Sequence, residues 1–343
     1  MRLFDRIRNL IWPARQAGSD AQTGRPPTPL RAAADLDALL SATGSAAAAP
    51  LVHRVARTCF HILPDGAASD ASLGCSRFGG APDLPIGAAW PRAKDGSRLT
   101  FYGQINVDDI ATPSGPSLLP AGALLSFFCG ELASSYDQPV EVHVVAPPLG
   151  TPLHTLSAEK SLKCLNAIRM RFEAGLSFPT ESLSFVRELE AAAPECDIDA
   201  LLAALGAAPE GAIGQTLGYA QFPFYDVHAS AYFAQIGRAG QDRLAIWESW
   251  DAWSAAKDIQ HRMQNGQIYR PWSAADDDNV RWILAHKAAI AAGIEQWHCA
   301  LWIASNRLMN LWINDADPIY FLAKRDDAGL LDLSNVHASA TQS

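Results

Sequence analysis

An α+β fold of mostly antiparallel sheets with helical insertions is predicted from three observations. Apolar runs of strand length, punctuated by Gly and Pro, fill the middle of the chain. Helical periodicity appears in separate blocks after about residue 180 rather than alternating with the strands. Two stretches, one in each half, repeat the same turn–strand–turn–strand order.

Taken in order, residues 1–15 form a basic, amphipathic segment. Leu3, Phe4, Ile7, Leu10 and Ile11 share one helical face, with Arg2, Arg6 and Arg8 largely off it. Without a continuous apolar core or a small-residue cleavage site, this segment is not read as a signal peptide. Residues 16–49 read as a flexible linker, rich in Gly, Pro, Ser, Thr and Ala, with a short helix over 35–40. The folded body is expected to run over 50–338, in halves 50–175 and 210–338, before a tail at 339–343. Strands are expected over 51–63, 99–107, 123–129, 140–146, 164–172, 297–304 and 319–324. Helices are expected over 180–193 and 197–205, the second opened by Asp197 and closed by Gly206. The clearest helix spans 274–292, with Ser273 as cap, Asp276, Asp277 and Asp278 in its first turn, and Gly293 as its stop. It belongs to a helical insertion at about 240–295.

Composition narrows the function. With 343 residues, 49% hydrophobic and 18% charged, the chain can bury a sizeable core. A formal charge of -9 disfavours a nucleic-acid binder, which would present a basic face. The six cysteines include no CxxC pair and suggest no disulfide framework, so a reducing, cytoplasmic location is expected. No run reaches the roughly 18 apolar residues of a membrane span.

No GxSxG, GxGxxG or GxxxxGK[ST] motif occurs, and no two of the nine histidines stand as HxH or HxxxH. No catalytic residue, metal site or cofactor is therefore expected. His143, between Val142 and Val144, should point away from their face. Asp315 and Asp317 offer oxygen atoms in a turn, and Asp315 is kept as a candidate ligand contact. Trp247, Trp250 and Trp253 recur every three residues and are candidate interface anchors.

The echo pairs Phe78-Gly79-Gly80, the strand 99–105 and the stretch 119–128 with Leu217-Gly218-Tyr219, the strand 297–303 and the stretch 314–321. In the first half these residues read Arg77-Phe78-Gly79-Gly80-Ala81-Pro82-Asp83-Leu84-Pro85, Trp90-Pro91, Gln104-Ile105-Asn106 and Leu119-Pro120-Ala121-Gly122. They resemble the hallmark of the YwqG-like family of uncharacterised bacterial proteins, over roughly residues 50–338. The second half departs from that pattern at Ala220, Asn314 and Asp317. The resemblance carries no activity with it and implies, through similarity to proteins encoded near polymorphic toxins, a toxin or immunity association.

The expected function is a non-catalytic binding or interaction protein with a protein or small-molecule partner. Its shared site would lie at Gly79, Gly80, Trp90 and Gln104, where a side-chain amide ending an apolar strand presents both a donor and an acceptor. Two competing readings are a hydrolytic enzyme assembled from dispersed acids and histidines, and a membrane-surface adaptor using the N-terminal segment.

Overall fold

The computed structural model describes residues 29–67, 72–110, 118–130, 141–156, 165–180, 182–220, 227–241, 244–245, 249–254, 273–313 and 316–340. Helix α1 (Ala33–Ala42) buries Leu36 and Leu40, one turn apart. Helix α2 (Ala49–Val55) carries Pro50 in its first turn, where a fixed φ suits the helix and the missing N–H has no partner to lose. The extended run expected over 51–63 therefore divides, and strand β1 (Arg57–Ala67) begins only after α2. The stretch read as linker is likewise folded from Leu30 onward. Leu30 is buried, and its carbonyl accepts from the N–H of Leu176 at 2.8 Å. Its alanines looked like linker, yet they suit a helix whose leucines have a core to enter.

The first half continues with β2 (Arg77–Phe78), β3 (Asp83–Pro85), β4 (Thr100–Asn106), β5 (Leu124–Cys129), β6 (Val142–Val145), β7 (Leu153–Thr155) and β8 (Ile168–Ser177). Helices α3 (Leu183–Ala192) and α4 (Ile198–Leu205) follow, the latter capped by Asp197, whose carboxylate accepts from the N–H of Ala200. Strand β9 (Gly214–Thr216) and helix α5 (Val227–Gln235) lead to α6 (Ala274–Ala285) and α7 (Lys287–Glu295). The chain closes with β10 (Trp297–Ile303), β11 (Ile319–Lys324) and β12 (His337–Ala340).

The single helix expected over 274–292 is thus two. The break falls at His286 (φ -117°, ψ 16°), and Gly293 does not end α7. Gly293 is buried inside that helix because a Cβ there would run into the ring of Tyr232. The aspartates do cap α6. Ser273 donates its N–H to Asp276 at 2.6 Å, and Asp277 accepts from the indole N–H of Trp253 at 2.8 Å.

Ten strands form one antiparallel sheet in the order β12-β11-β10-β9-β1-β8-β2-β4-β5-β6, and β3 pairs with β7 in a separate two-stranded sheet. The ten-strand order is symmetric about the central β1/β8 pair, with wings β2-β4-β5-β6 and β9-β10-β11-β12. Each wing has a register shift at the same place, between Phe101 and Gly103 in one and between Cys299 and Leu301 in the other. The ladders then make Gln104 the counterpart of Trp302, and Phe127 that of Phe321. Both short strands β2 and β9 run into two consecutive left-handed residues. These are Gly79 and Gly80 (φ 64° and 71°) in one wing and Leu217 and Gly218 (φ 63° and 77°) in the other. The sequence echo is therefore a structural repeat of the wing.

The sheet curls so that the wings face each other. Phe321 of β11 meets Phe127 of β5 and Tyr102 of β4, with ring centroids 5.3 and 5.9 Å apart. Phe60, Ile62, Phe78, Ile105, Leu301 and Ile303 join them in the enclosed core. Burying each such side chain stabilises the fold by about 1.5–3 kcal/mol. Helices α1–α4 cover the outer face around Phe178, while α5–α7 build a satellite core around Trp253.

Candidate functional site

The shared motif builds a buried polar clamp. Arg77 of β2 and Gln104 of β4 are direct partners across the ladder, so both side chains stand on the outer face of the sheet. The turn at Gly79 and Gly80 folds the following chain back over them and delivers Asp83. Arg77 donates to Asp83 Oδ1 at 2.6 Å and to the carbonyl of Ala81 at 2.6 Å. Thr155 Oγ1 donates to Oδ1 at 2.6 Å, and the Gly74 N–H and Gln104 Nε2 donate to Oδ2 at 2.8 Å each. Gln104 Oε1 accepts from the N–H of Asp83 at 2.9 Å, and its Nε2 also donates to the carbonyl of Cys75 at 2.8 Å. Burial pushes the Asp83 carboxyl up, but the hydrogen bonds from Arg77, Thr155, Gly74 and Gln104 outweigh it and hold the group below the usual carboxylate range.

The surroundings of four residues named from the sequence, Gln104, Gly79, Gly80 and Trp90, are defined by the structure. Gln104 is fully buried, both of its amide N–H groups are used, and it holds the loop that carries Asp83. Gly79 lies against the backbone carbonyl of Asn166, and its N–H donates to Tyr102 at 2.9 Å. A Cβ on Gly80 would come within 2.7 Å of the Ala167 Cβ. Trp90 is buried, donates to the carbonyl of Leu99 at 2.8 Å and meets Phe128 edge-on at 5.9 Å. Gln104 thus holds the Asp83 loop from inside, and the other three pack beside it.

Asp315 and Trp247 lie outside the described residues, as does the amphipathic segment with Leu3, Phe4 and Ile7. Trp253 is fully buried, whereas Trp250 is half-buried with the Arg281 guanidinium 4.2 Å above its ring. His143 is exposed, opposite the inward-packed Val142 and Val144. Among the described residues, no group of three His, Cys, Asp or Glu side chains is placed to hold a metal.

In the second wing Gln215 stands where Arg77 stands in the first. Its Nε2 donates to the carbonyl of Tyr219 at 3.0 Å, four residues on, as Arg77 does to Ala81. The position matching Asp83 is Gln221, outside the described residues.

Near the clamp, three large apolar side chains face solvent. Leu73, Ile86 and Leu149 are 53%, 69% and 78% exposed. All three flank the start of β7. Gly74, next to Leu73, approaches Leu153; the Ile86 N–H donates to the carbonyl of Pro152 at 3.0 Å; and Leu149 sits in the turn that leads into Leu153. Sequence reasoning missed these three, since isolated apolar residues in turns give no periodic signal.

Three of the described cysteines, Cys59, Cys129 and Cys299, are buried. Cys59 Sγ and His61 Nε2 stand 3.8 Å apart. Burial pushes the Cys59 thiol well up, only partly offset by a hydrogen bond from Ser177, and pushes the His61 imidazole down to about 4. Burial likewise raises the Cys129 thiol to about 12 and the Cys299 thiol beyond that. A neutral thiol beside a neutral imidazole is the opposite of an activated dyad.

Burial also lowers His337 to about 4, and burial with the positive charge of Arg57, Arg325 and His228 lowers His298 to about 3. These folded values lie below the unfolded value of about 6.5. The unfolded chain then binds more protons in that window, so stability is fully present above about pH 6.5 and is lost as pH falls towards the folded values. Urea midpoints should drop between about pH 7 and about pH 5, and His61→Gln should flatten the slope. A midpoint unchanged over that range would show that the imidazoles are not neutral in the fold.

The model of a family described as a domain of unknown function, DUF1963, matches residues 76–338. The chain belongs to this family. The match begins at the clamp, with Ser76, and ends in β12, so it spans both wings of the sheet. Helices α1 and α2 and strand β1 precede it. No curated protein matches the sequence. No helix among the described residues is long and apolar enough to cross a membrane.

Proposed function

We propose that the chain is a non-catalytic interaction module of YwqG-like type in the bacterial cytoplasm, and that a protein partner docks on the apolar patch of Leu73, Ile86 and Leu149. The observation that carries this reading is the exposure of three large apolar side chains around the start of β7, on a loop frame locked by the Arg77–Asp83–Gln104 clamp. Exposed large apolar side chains gathered in one region mark candidate interaction sites. A frame that does not reorder on binding spares the entropy that a loose loop would lose. The family resemblance makes a toxin or its immunity factor the expected class of partner.

The hydrolytic alternative would need an ionised nucleophile beside a base. Among the described residues, the thiol–imidazole pair Cys59 and His61 is held in the wrong protonation states and away from solvent.

Affinity capture with the tagged full chain from its native bacterium, in parallel with Ile86→Asp and Leu149→Asp, tests the docking surface. The expected result is one partner retained by the parent and bound about tenfold or more weakly by each variant, with unchanged melting temperature. Equal capture by parent and variants would sink the proposal.

A further inference from the structure

The small sheet of β3 and β7 has one closed edge and one open one. Its register pairs Asp83 with Thr155, Leu84 with His154 and Pro85 with Leu153. The Ile86 N–H donates to the Pro152 carbonyl at 3.0 Å, and the Leu156 N–H to the Pro82 carbonyl at 2.9 Å. Antiparallel alternation then turns the backbone groups of Leu84 and His154 towards each other, and those of Leu153 and Thr155 away from β3. On the outer side of β3 the Asp83 N–H is spent on Gln104 Oε1 at 2.9 Å. Pro85 has no N–H to offer there, and its carbonyl accepts from the N–H of Ala88 at 2.9 Å.

On the outer side of β7 the N–H and C=O groups of Leu153 and Thr155 take no hydrogen bond among the described residues. No described strand other than β3 pairs with β7. Thr155 is exposed and Leu153 half-buried. The usual guards of a strand edge, proline and charge, are missing. Pro152 sits where its absent N–H would face β3, so it leaves the outer side open. The stretches that carry β7 and the three exposed apolar residues, 72–76, 84–91 and 142–156, contain no Asp, Glu, Lys or Arg, although the chain as a whole carries -9.

We infer that the open edge of β7 takes an extended, uncharged segment of the docking partner as a third strand. The inference rests on the docking reading above and gives its mode of recognition. Two donors and two acceptors, repeating every second residue or about 7 Å, match the backbone of an extended peptide. A neutral surface offers no counter-ion, so a charged segment would lose water there without gaining a partner. Alternate apolar side chains of the added strand would then meet the surface formed by Leu73, Ile86 and Leu149. The edge is also held in place beforehand, because Thr155 Oγ1 donates to the clamped Asp83 at 2.6 Å.

The test pans a phage-displayed library of random 12-residue linear peptides on the tagged full chain, then titrates the most enriched peptide in synthetic form. Enriched sequences should alternate apolar residues and carry few charges. Amide exchange followed by NMR should be fast at Leu153 and Thr155 in the free chain and slowed about tenfold or more by the peptide. N-methylation of the peptide backbone should weaken binding about tenfold or more at every second residue and leave it unchanged at the residues between. This scan alters the ligand alone, so it stands even if a protein variant misfolds. Leu153→Pro removes one outward N–H without touching the ladder to β3 and should show the same loss. No enriched peptide, or a flat N-methyl scan with unchanged exchange at Leu153 and Thr155, would overturn the inference. Affinity that falls in Ile86→Asp and Leu149→Asp while the scan stays flat would overturn strand pairing and leave the docking surface standing. An alternating scan with full affinity in both of those variants would instead sink the apolar patch. Self-association of the chain that is lost in Leu153→Pro would give the edge to a second copy and overturn the partner segment.

Discussion

Replacing Arg77 with Met should cost the fold about 3–5 kcal/mol, because the buried Asp83 carboxylate then loses its only cation. The Arg77 and Asp83 side chains are 6% and 0% exposed, so water cannot take over the lost role. The remaining donors to Asp83, from Thr155, Gly74 and Gln104, would keep the carboxylate solvated but not neutralised. Denaturant unfolding checks the size of the loss. The double variant Arg77→Met/Asp83→Leu discriminates the cause, since removing both charges together should cost clearly less than the sum of the two single changes. Strict additivity would mean that the pair is not the coupled unit described above. The consequence reaches the proposed docking surface. The clamp fixes β3, and β3 with β7 carries the turns that expose Ile86 and Leu149.

Gly79→Ala should be among the most damaging single substitutions in the chain. At φ 64° an L-residue costs about 1–2 kcal/mol from backbone sterics alone. The added methyl would also drive into the carbonyl of Asn166, which is backbone and cannot rotate away. Gly96 is the control, because it has φ 86° but nothing within 4 Å of the place a methyl would occupy. Gly96→Ala should therefore show only the backbone cost, while Gly79→Ala shows that cost plus a displacement of the segment before β8. Thermal melts of the two variants make the comparison. Equal losses would mean that the close approach to Asn166 contributes nothing. The other wing supplies a natural contrast, since Leu217 holds φ 63° at the position that matches Gly79. Its side chain is buried in the enclosed core, so apolar burial offsets the backbone cost there.

Much of the fold was legible in the sequence, for local reasons. Strand β11 falls on residues 319–324 as expected, and the caps at Asp197 and Ser273 follow from side chains that bond their own helix starts. The break at His286 was not legible, because both of its flanks keep a helical apolar period and no Gly or Pro marks it. Gly293 misled for the opposite reason. Its signature is that of a helix stop, but its cause is the ring of Tyr232 on another helix. Strands of two or three residues, such as β2, β3, β7 and β9, exist only through their partners and carry no periodic signal of their own.

The candidate site divides along the same line. Gln104, Trp90, Gly79 and Gly80 stood out by sequence; Gln104 holds the Asp83 loop, Gly79 and Gly80 pack against residues 165–167, and Trp90 packs apart from them on Phe128. The tryptophan stripe gave one core residue, Trp253, whose indole N–H is spent on Asp277.

By itself the sequence determined the α+β class, the helix caps and the repeated turn–strand pattern of the two wings. These follow from local propensity and hydrophobic period, which act between residues close in the chain. Only the tertiary structure decided that the wings curl face to face around Phe127 and Phe321, and that the shared polar residues point inward to a clamp. It alone placed Leu73, Ile86 and Leu149 around the start of β7. Those outcomes depend on which distant strands pair and in what register, and a one-residue change in register would send every one of those side chains to the opposite face.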